Sequence, residues 1–424
     1  GRFLGWYYGQ KTPGEKCRIV IGKDTRKSGD MLEAALTAGL CSMGAKVIPL
    51  GVVPTPAVAY LTRYYKADAG VVISASHNPC EYNGIKFFNS DGYKLSDGIE
   101  NEIESYILGE KAIEELPTHG KVGYVSANHN AVEDYVAFAV STIDCRLDGM
   151  KIAVDCANGA SYETAFKALN KLGANVEAIH NTPDGVNINH MCGSTHMESL
   201  QAYVTSIGAD IGIAFDGDAD RMLAVDENGN LIDGDQIMAA CAKFMRDNGT
   251  LKQNTLVATV MSNLGLFMAG EKIGINIPRT KVGDRYVLEE MLAKGYNIGG
   301  EQSGHIIFLD HNTTGDGLVS ALQFLSVLKK TGMKASEAAS IVTVMPQVLR
   351  NAVVKLENKN SYMENEEIAA ACKALEDEFA GEGRVLIRPS GTEPLVRVMI
   401  EGKDEEYITK KAEELAELIE KILG

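Results

Sequence analysis

Positive charge is in short supply in this chain: 41 Lys and Arg stand against 57 Asp and Glu, a formal net charge of −16. The deficit argues against a nucleic acid or an anionic membrane surface as partner, since both are held by clustered cations. No apolar run approaches the roughly 20 residues of a membrane span, and no secretory signal pattern is visible. Cysteine frameworks are missing too. The eight cysteines include no CxxC pair, so they read as reduced thiols of a cytosolic protein. Neither GxxxxGK[ST] nor a strand-coupled GxGxxG occurs, which leaves nucleotide and dinucleotide binding unsupported. Against this acidic background, basic residues inside Gly/Ser-rich loops carry more weight than usual.

At 424 residues the chain is too long for one core. Three stretches, Arg18–Gly22, Lys151–Asp155 and Thr255–Val260, are short β-branched runs, each followed by a Gly/Asn/Ser turn and a helical pattern. Examples of the helical pattern are Asp30–Met43 and Ser161–Lys171. Strands alternating with helices predict mainly parallel sheets covered on both faces. The expected organisation is α/β, with three αβα domains at 1–146, 147–235 and 236–345. A small α+β domain follows at 346–424. Helices are predicted at Ala131–Ser141, with Asn130 and Glu133 as a capping box, and at Gln236–Met245. The last segment reads as strands Leu349–Leu356, Arg384–Arg388 and Leu395–Glu401, with helices Glu364–Phe379 and Glu405–Leu423.

The densest chemical signal is Asp216-Gly-Asp218-Ala-Asp220-Arg221, directly after the apolar run Ile211–Phe215. Three carboxylates so close repel each other unless a cation lies among them, and oxygen-only ligands select a hard ion such as Mg²⁺. A solvated acidic turn is the plainer alternative. An EF-hand, with Glu227 as twelfth residue, is rejected because Arg221 occupies the position of its obligatory Gly and the flanks look like strands.

Other polar turns follow apolar runs. Val71–Pro79 ends in Ser76-His77-Asn-Pro, where Pro79 stiffens the turn and Ser76 is a candidate nucleophile with His77 beside it. Strand ends are where α/β sheets place reactive groups, although a plain polar turn fits the same residues. Lys86, in the next strand, is an acid/base or phosphate clamp, or an ordinary strand-edge Lys. Gly299–His305 offers Glu301 and Ser303 to sugar hydroxyls or an amine, and His305 as an acid/base. Arg388-Pro-Ser390-Gly391-Thr392-Glu-Pro394, closing with Arg397, reads as an anion nest rather than a bare hairpin loop. Lys281, Gly283, Asp284 and Arg285 form one further polar turn, and the Gly22–Gly29 turn carries Arg26. Each of these last two is weak alone.

Together the motifs resemble the α-D-phosphohexomutase superfamily over essentially the whole chain, and within it the bacterial phosphoglucosamine mutase branch. Glu301-Gln302-Ser303-Gly-His305, Asn187-Ile-Asn189…Cys192-Gly-Ser-Thr-His196 and Thr314-Gly-Asp-Gly317 look like that branch. The resemblance implies four domains around a central cleft and a catalytic Ser76 that carries a phosphoryl group. It implies Mg²⁺ held by Ser76, Asp216, Asp218 and Asp220, with Lys86 and His305 as acid/base residues and Arg221 trailing the metal loop. Arg26, Lys281, Gly283, Asp284, Arg285, Glu301 and Ser303 would contact the sugar, and Arg388, Ser390, Gly391, Thr392 and Arg397 its phosphate. The implied reaction interconverts glucosamine 6-phosphate and glucosamine 1-phosphate through a 1,6-bisphosphate that also serves as activator, feeding UDP-N-acetylglucosamine and cell-wall synthesis. The expected partners are small sugar phosphates, with neither nucleic acid nor membrane, and the expected state is a cytoplasmic monomer or homodimer. The rivals are a phosphomannomutase/phosphoglucomutase, a Mg²⁺-dependent sugar phosphatase and an inactive sugar-phosphate-binding protein. One departure is expected to matter. The superfamily's opening Thr-Asp-Gly-x-Arg-Gly loop has no counterpart here, and the chain starts at Gly1, so the natural start is expected upstream.

Overall fold

In a computed structural model that describes residues 1–12, 14–113, 116–362, 364–390 and 393–424, the apolar runs become strands whose C-terminal ends carry the polar turns. The first sheet has the order Ile85–Asn89, Ala69–Ile73, Arg18–Lys23, Lys46–Val52, Tyr124–Val125. All neighbours are parallel except Ile85–Asn89, which runs antiparallel to Ala69–Ile73. The second sheet runs Leu231–Ile232, Met222–Asp226, Ile211–Phe215, Lys151–Asp155, Asn175–Ile179. Its last three strands are parallel, and Met222–Asp226 runs antiparallel to both its neighbours. Ala69–Ile73 and Ile211–Phe215 are buried at every residue, as expected of strands covered on both faces.

The third α/β region is less regular than expected. Of Thr255–Val260 only Ala258–Thr259 forms a regular strand, parallel to Arg279–Thr280, with single bridges from Thr255 to Asn276 and from Val257 to Gly299. Ile298–Gly300 and Ile306–Phe308 make a short antiparallel pair that frames the Gly299–His305 loop.

The described residues form two compact units: Gly1–Val260 with Ile275–Ile341, and Met261–Gly274 with Val342–Gly424. In the second unit, Leu395–Glu401 lies between Gln347–Val353 and Arg384–Pro389, antiparallel to both. Helices Glu366–Phe379 and Glu405–Leu423 cover this sheet, the latter burying Ile408, Ala412, Leu415 and Ile419. Helix Leu264–Ile273 belongs to this unit as well. The Asn263 side chain bonds both ways with Met345, and the Leu264 N–H donates to Glu401.

The capping box expected at Asn130 is not formed. Asn130 makes no side-chain cap bond, and Glu133 instead pairs with Lys167 at 2.6 Å. The complete box lies at Asp233 and Gln236, starting helix Gly234–Asp247 two residues before the predicted Gln236.

Candidate active site

Ser76 sits just beyond the end of Ala69–Ile73 at φ +52°, a left-handed conformation that a non-Gly residue keeps only when its surroundings enforce it. Those surroundings are visible. The Ser76 N–H donates to Ser74 Oγ at 3.0 Å. Arg26, fully buried and paired with Asp24 at 2.8 Å, donates to the carbonyls of Ser76 (3.0 Å), Asn78 (2.7 Å), Tyr82 (3.0 Å) and Pro79. Asn189 donates to the Ser76 and Asn78 carbonyls at 2.8 and 3.0 Å. Arg26 was expected to touch substrate. Its guanidinium is instead occupied in shaping the serine loop, because the Asp24 carboxylate and four loop carbonyls already surround it.

The metal-loop expectation and the serine expectation converge. Ser76 Oγ donates to Asp216 Oδ2 at 2.8 Å, and carboxylate oxygens of Asp216, Asp218 and Asp220 lie within 4.8 Å of one another, all buried. The close approach depends on Gly217, where a Cβ would stand 2.6 Å from the Ser76 carbonyl and from Asn189 Nδ2. Lys86 donates to Asp218 Oδ2 at 2.6 Å and stands 3.9 Å from Asp220. Burial alone would favour the neutral amine. Asp218 and Asp220 reverse that and favour the charged form of Lys86. Burial would likewise raise Asp218, yet Lys86 and Thr55 keep it well below the usual carboxylate range. Burial, then Asp220 and Asp218, push Asp216 well up.

Oδ1 of Asp218 and Oδ1 of Asp220 are buried without a hydrogen-bond partner, as is Arg221 Nε, 3.9 Å from Asp220. Orphaned acceptors on a three-carboxylate cluster fit a divalent cation, and the Arg221 donor fits an anion beside it. His77 Nδ1 lies 3.4 Å from Ser76 Oγ, and burial, then Arg221, lower its pKa.

The sugar-loop residues are brought together only in part. Glu301 Oε1 accepts the Gly283 N–H at 3.1 Å, joining two loops that the sequence left separate. Ser303 is exposed and Glu301 half-buried. Gln302 turns to Asp233 at 2.9 Å, while its carbonyl accepts the Gly234 N–H, so it fastens the loop to a helix cap. His305, read as a catalytic acid/base, is buried at 3% exposure against Gly315, 3.8 Å from Asp284, and neither ring nitrogen has a hydrogen-bond partner. It has almost no surface from which to exchange a proton. Asp284, expected with Arg285 to contact the sugar, pairs with Lys94, and Arg285 pairs with Asp97 and Glu289. Lys281 lies over the Tyr286 ring at 5.7 Å. A groove of about 990 Å³ runs past Lys86, Tyr93, Lys94, Asp284 and Arg285.

In the second unit, Arg388 and Arg397 face each other across paired strands. Like charges so placed repel, and burial, then Arg397, lower the Arg388 pKa. Arg397 Nε is buried without a partner, although its other nitrogen reaches Glu393 at 3.2 Å. Ser390 is buried, and its carbonyl accepts Lys359 Nζ at 2.9 Å. Gly391 and Thr392 lie outside the described residues.

Several contributors had no signal in the sequence pattern. Thr55 opens helix Thr55–Tyr64 and binds Asp218 twice, Oγ1 to Oδ2 at 2.6 Å and N–H to the carbonyl at 2.9 Å. Lys94 and Lys359 are comparable cases, whereas Asp24 and Ser74 stood inside the Gly22–Gly29 and Val71–Pro79 turns without a role of their own. Asn189 was visible only as part of a motif, without a role.

Sequence profiles of the phosphoglucomutase/phosphomannomutase family match four blocks of the chain. They are alpha/beta/alpha domain I at 1–114, domain II at 132–229, domain III at 233–345 and the C-terminal domain at 352–418. The chain belongs to the phosphoglucomutase/phosphomannomutase family. Eight curated relatives, 56–63% identical, carry the name phosphoglucosamine mutase. One, from Ruminiclostridium cellulolyticum, is 63% identical over 95% of this chain and 90% of its own. Among solved structures, a phosphoglucomutase/phosphomannomutase family protein from Burkholderia thailandensis superposes with TM-score 0.80 at 22% identity, over 99% and 91% of the two chains. An Aspergillus fumigatus N-acetylphosphoglucosamine mutase, solved with GlcNAc-6P and magnesium, gives TM-score 0.67 at 19% identity, over 97% and 84%. These two likenesses show that the family fold is shared.

Proposed function

We propose that this family member is an isomerase that interconverts glucosamine 6-phosphate and glucosamine 1-phosphate by passing a phosphoryl group through Ser76. The observation that carries this reading is the 2.8 Å bond between Ser76 Oγ and Asp216, at the edge of a buried three-aspartate cluster. Mg²⁺ held by Asp216, Asp218 and Asp220 would offset the negative charge that builds up in phosphoryl transfer. Lys86 and Arg221 supply fixed positive charge beside that cluster. The sugar O1 hydroxyl attacks the phosphorus of phospho-Ser76, the serine oxygen leaves, and the hydroxyl proton passes to a base. His77, whose imidazole is held towards its neutral form, is the nearest ring able to accept it. The resulting 1,6-bisphosphate returns its 6-phosphoryl group to Ser76 after turning over, which is why a trace of it activates. Glu301 and Ser303 read the sugar, and in the second unit Arg388, Arg397 and Ser390 offer donors suited to a sugar phosphate. The amino-sugar preference is supported by the name shared by relatives at 56–63% identity.

The test is turnover with Mg²⁺ and trace glucosamine 1,6-bisphosphate on glucosamine, mannose and glucose 6-phosphates. Preference for the amino sugar, abolished in Ser76→Ala while substrate still binds, is expected. Preference for a neutral sugar overturns the substrate assignment, and near-normal turnover by Ser76→Ala overturns the mechanism.

A further inference from the structure

Asp155 closes strand Lys151–Asp155 and is fully buried, yet it plays no part in the reaction above. Its Oδ1 accepts the Ala157 N–H at 2.8 Å, and its Oδ2 accepts the Gly193 N–H at 3.0 Å and faces His180 Nδ1 at 2.9 Å. Cys192, one residue before Gly193, is buried and unbridged. One ligand atom from each of Asp155, His180 and Cys192 lies within 4.8 Å of the others.

We propose that Asp155, His180 and Cys192 form a second divalent-cation site, suited to Zn²⁺ and separate from the three-aspartate cluster. One oxygen, one nitrogen and one sulfur donor make the mixed set that zinc takes in sites with three protein ligands and an open fourth position. Thiolate and imidazole disfavour Mg²⁺, which prefers oxygen alone. The His180–Asp155 spacing of 2.9 Å is close to the separation of about 3.3 Å between ligands about 2.0 Å from one tetrahedral ion. The carboxylate is already aimed, because two backbone N–H groups hold it as outer-shell partners hold a metal ligand. His180 supplies the way in, since 30% of its side chain is exposed while those of its two partners are not. On binding, the Cys192 thiol releases its proton to solvent. A neutral His180 moves its ring proton from Nδ1 to Nε2, and water fills the fourth position. Such an ion would sit on the loop that carries Asn189, and hence on a support of the Ser76 carbonyl.

Co²⁺ is the probe, added to the whole protein with Mg²⁺ in excess to occupy the three-aspartate cluster. The expected result is a thiolate-to-cobalt absorption band that saturates at one equivalent and disappears when Zn²⁺ is added. It should be lost in Cys192→Ser and in His180→Gln and kept in Asp218→Asn. His180→Gln changes a partly exposed side chain, so it keeps the comparison open should Cys192→Ser fold poorly. Absence of the band in the wild-type protein, or its survival in His180→Gln, overturns the proposal. The readout is independent of turnover, so it stands or falls apart from the mutase assignment.

Discussion

Ser76 owes its position to side chains far away in sequence, and Arg26 is the one with most to lose. Arg26→Met removes donors to four carbonyls and leaves Asp24 buried without its cation. Breaking a buried ion pair from one side costs about 3–5 kcal/mol. Thermal unfolding of the variant should therefore begin several degrees lower, with turnover falling further than substrate affinity. Thr55→Val is gentler. It deletes the 2.6 Å bond to Asp218 Oδ2 and keeps the shape. Losing one bond to a buried charged acceptor costs about 1–3 kcal/mol of stability, so unfolding should begin slightly lower, and kcat/KM should drop roughly tenfold to a hundredfold as Asp218 loses a positioning bond. An unchanged kcat/KM would remove Thr55 from the site. Arg26 illustrates a limit of pattern reading: a basic residue in a Gly-flanked turn looks the same whether it faces a ligand or the protein's own carbonyls.

At the scale of elements, the metal loop and the sugar loop are joined by backbone. The Met222 N–H donates to the Gly304 carbonyl at 3.0 Å, and Gln302 ties the same loop to the start of helix Gly234–Asp247. The loop end is packed tightly enough that Gly315 must stay glycine. A Cβ there would lie 2.4 Å from His305 Nε2. Gly315→Ala should destabilise the protein by about 1–3 kcal/mol, the usual cost of overpacking, read as a lower denaturant midpoint. A midpoint equal to wild type would show that the His305 ring moves aside freely. Elements with clear strand or helix patterning were legible: Lys151–Asp155, Ser161–Lys171, Ala131–Ser141 and Leu395–Glu401 have the bounds expected from sequence. Thr255–Val260 was not, because β-branched composition describes a segment's preference while a strand also needs neighbours to pair with along its length. Only Ala258 and Thr259 have them in regular register.

On the scale of the molecule, charge sets an acid limit. Burial would raise Asp284, but His305 and Lys94 bring it down to about 2. A carboxylate with an ordinary pKa near 3.9 when unfolded and a depressed one when folded contributes stability above the unfolded value. That contribution is lost as pH falls through the folded value. Asp284→Asn should therefore be less stable than wild type at neutral pH, with the gap closing between about pH 4 and pH 2 in urea titrations. A gap that does not change with pH would mean that His305 and Lys94 add nothing to stability through the Asp284 charge.

Local residue types by themselves determined the α/β character and the strand-end turns, and marked Ser76, Asp216, Asp218 and Asp220 as candidates, because periodic burial and clustered carboxylates leave marks within a few neighbouring positions. The tertiary structure alone decided that Arg26 shapes a loop, that Lys86 is held charged by Asp218, that Thr55 and Asn189 support the site and that His305 is buried. It also placed Asp155, His180 and Cys192 together. Each of these depends on distances between residues tens to more than a hundred positions apart, and such distances exist only once the sheets have formed and their loops have met.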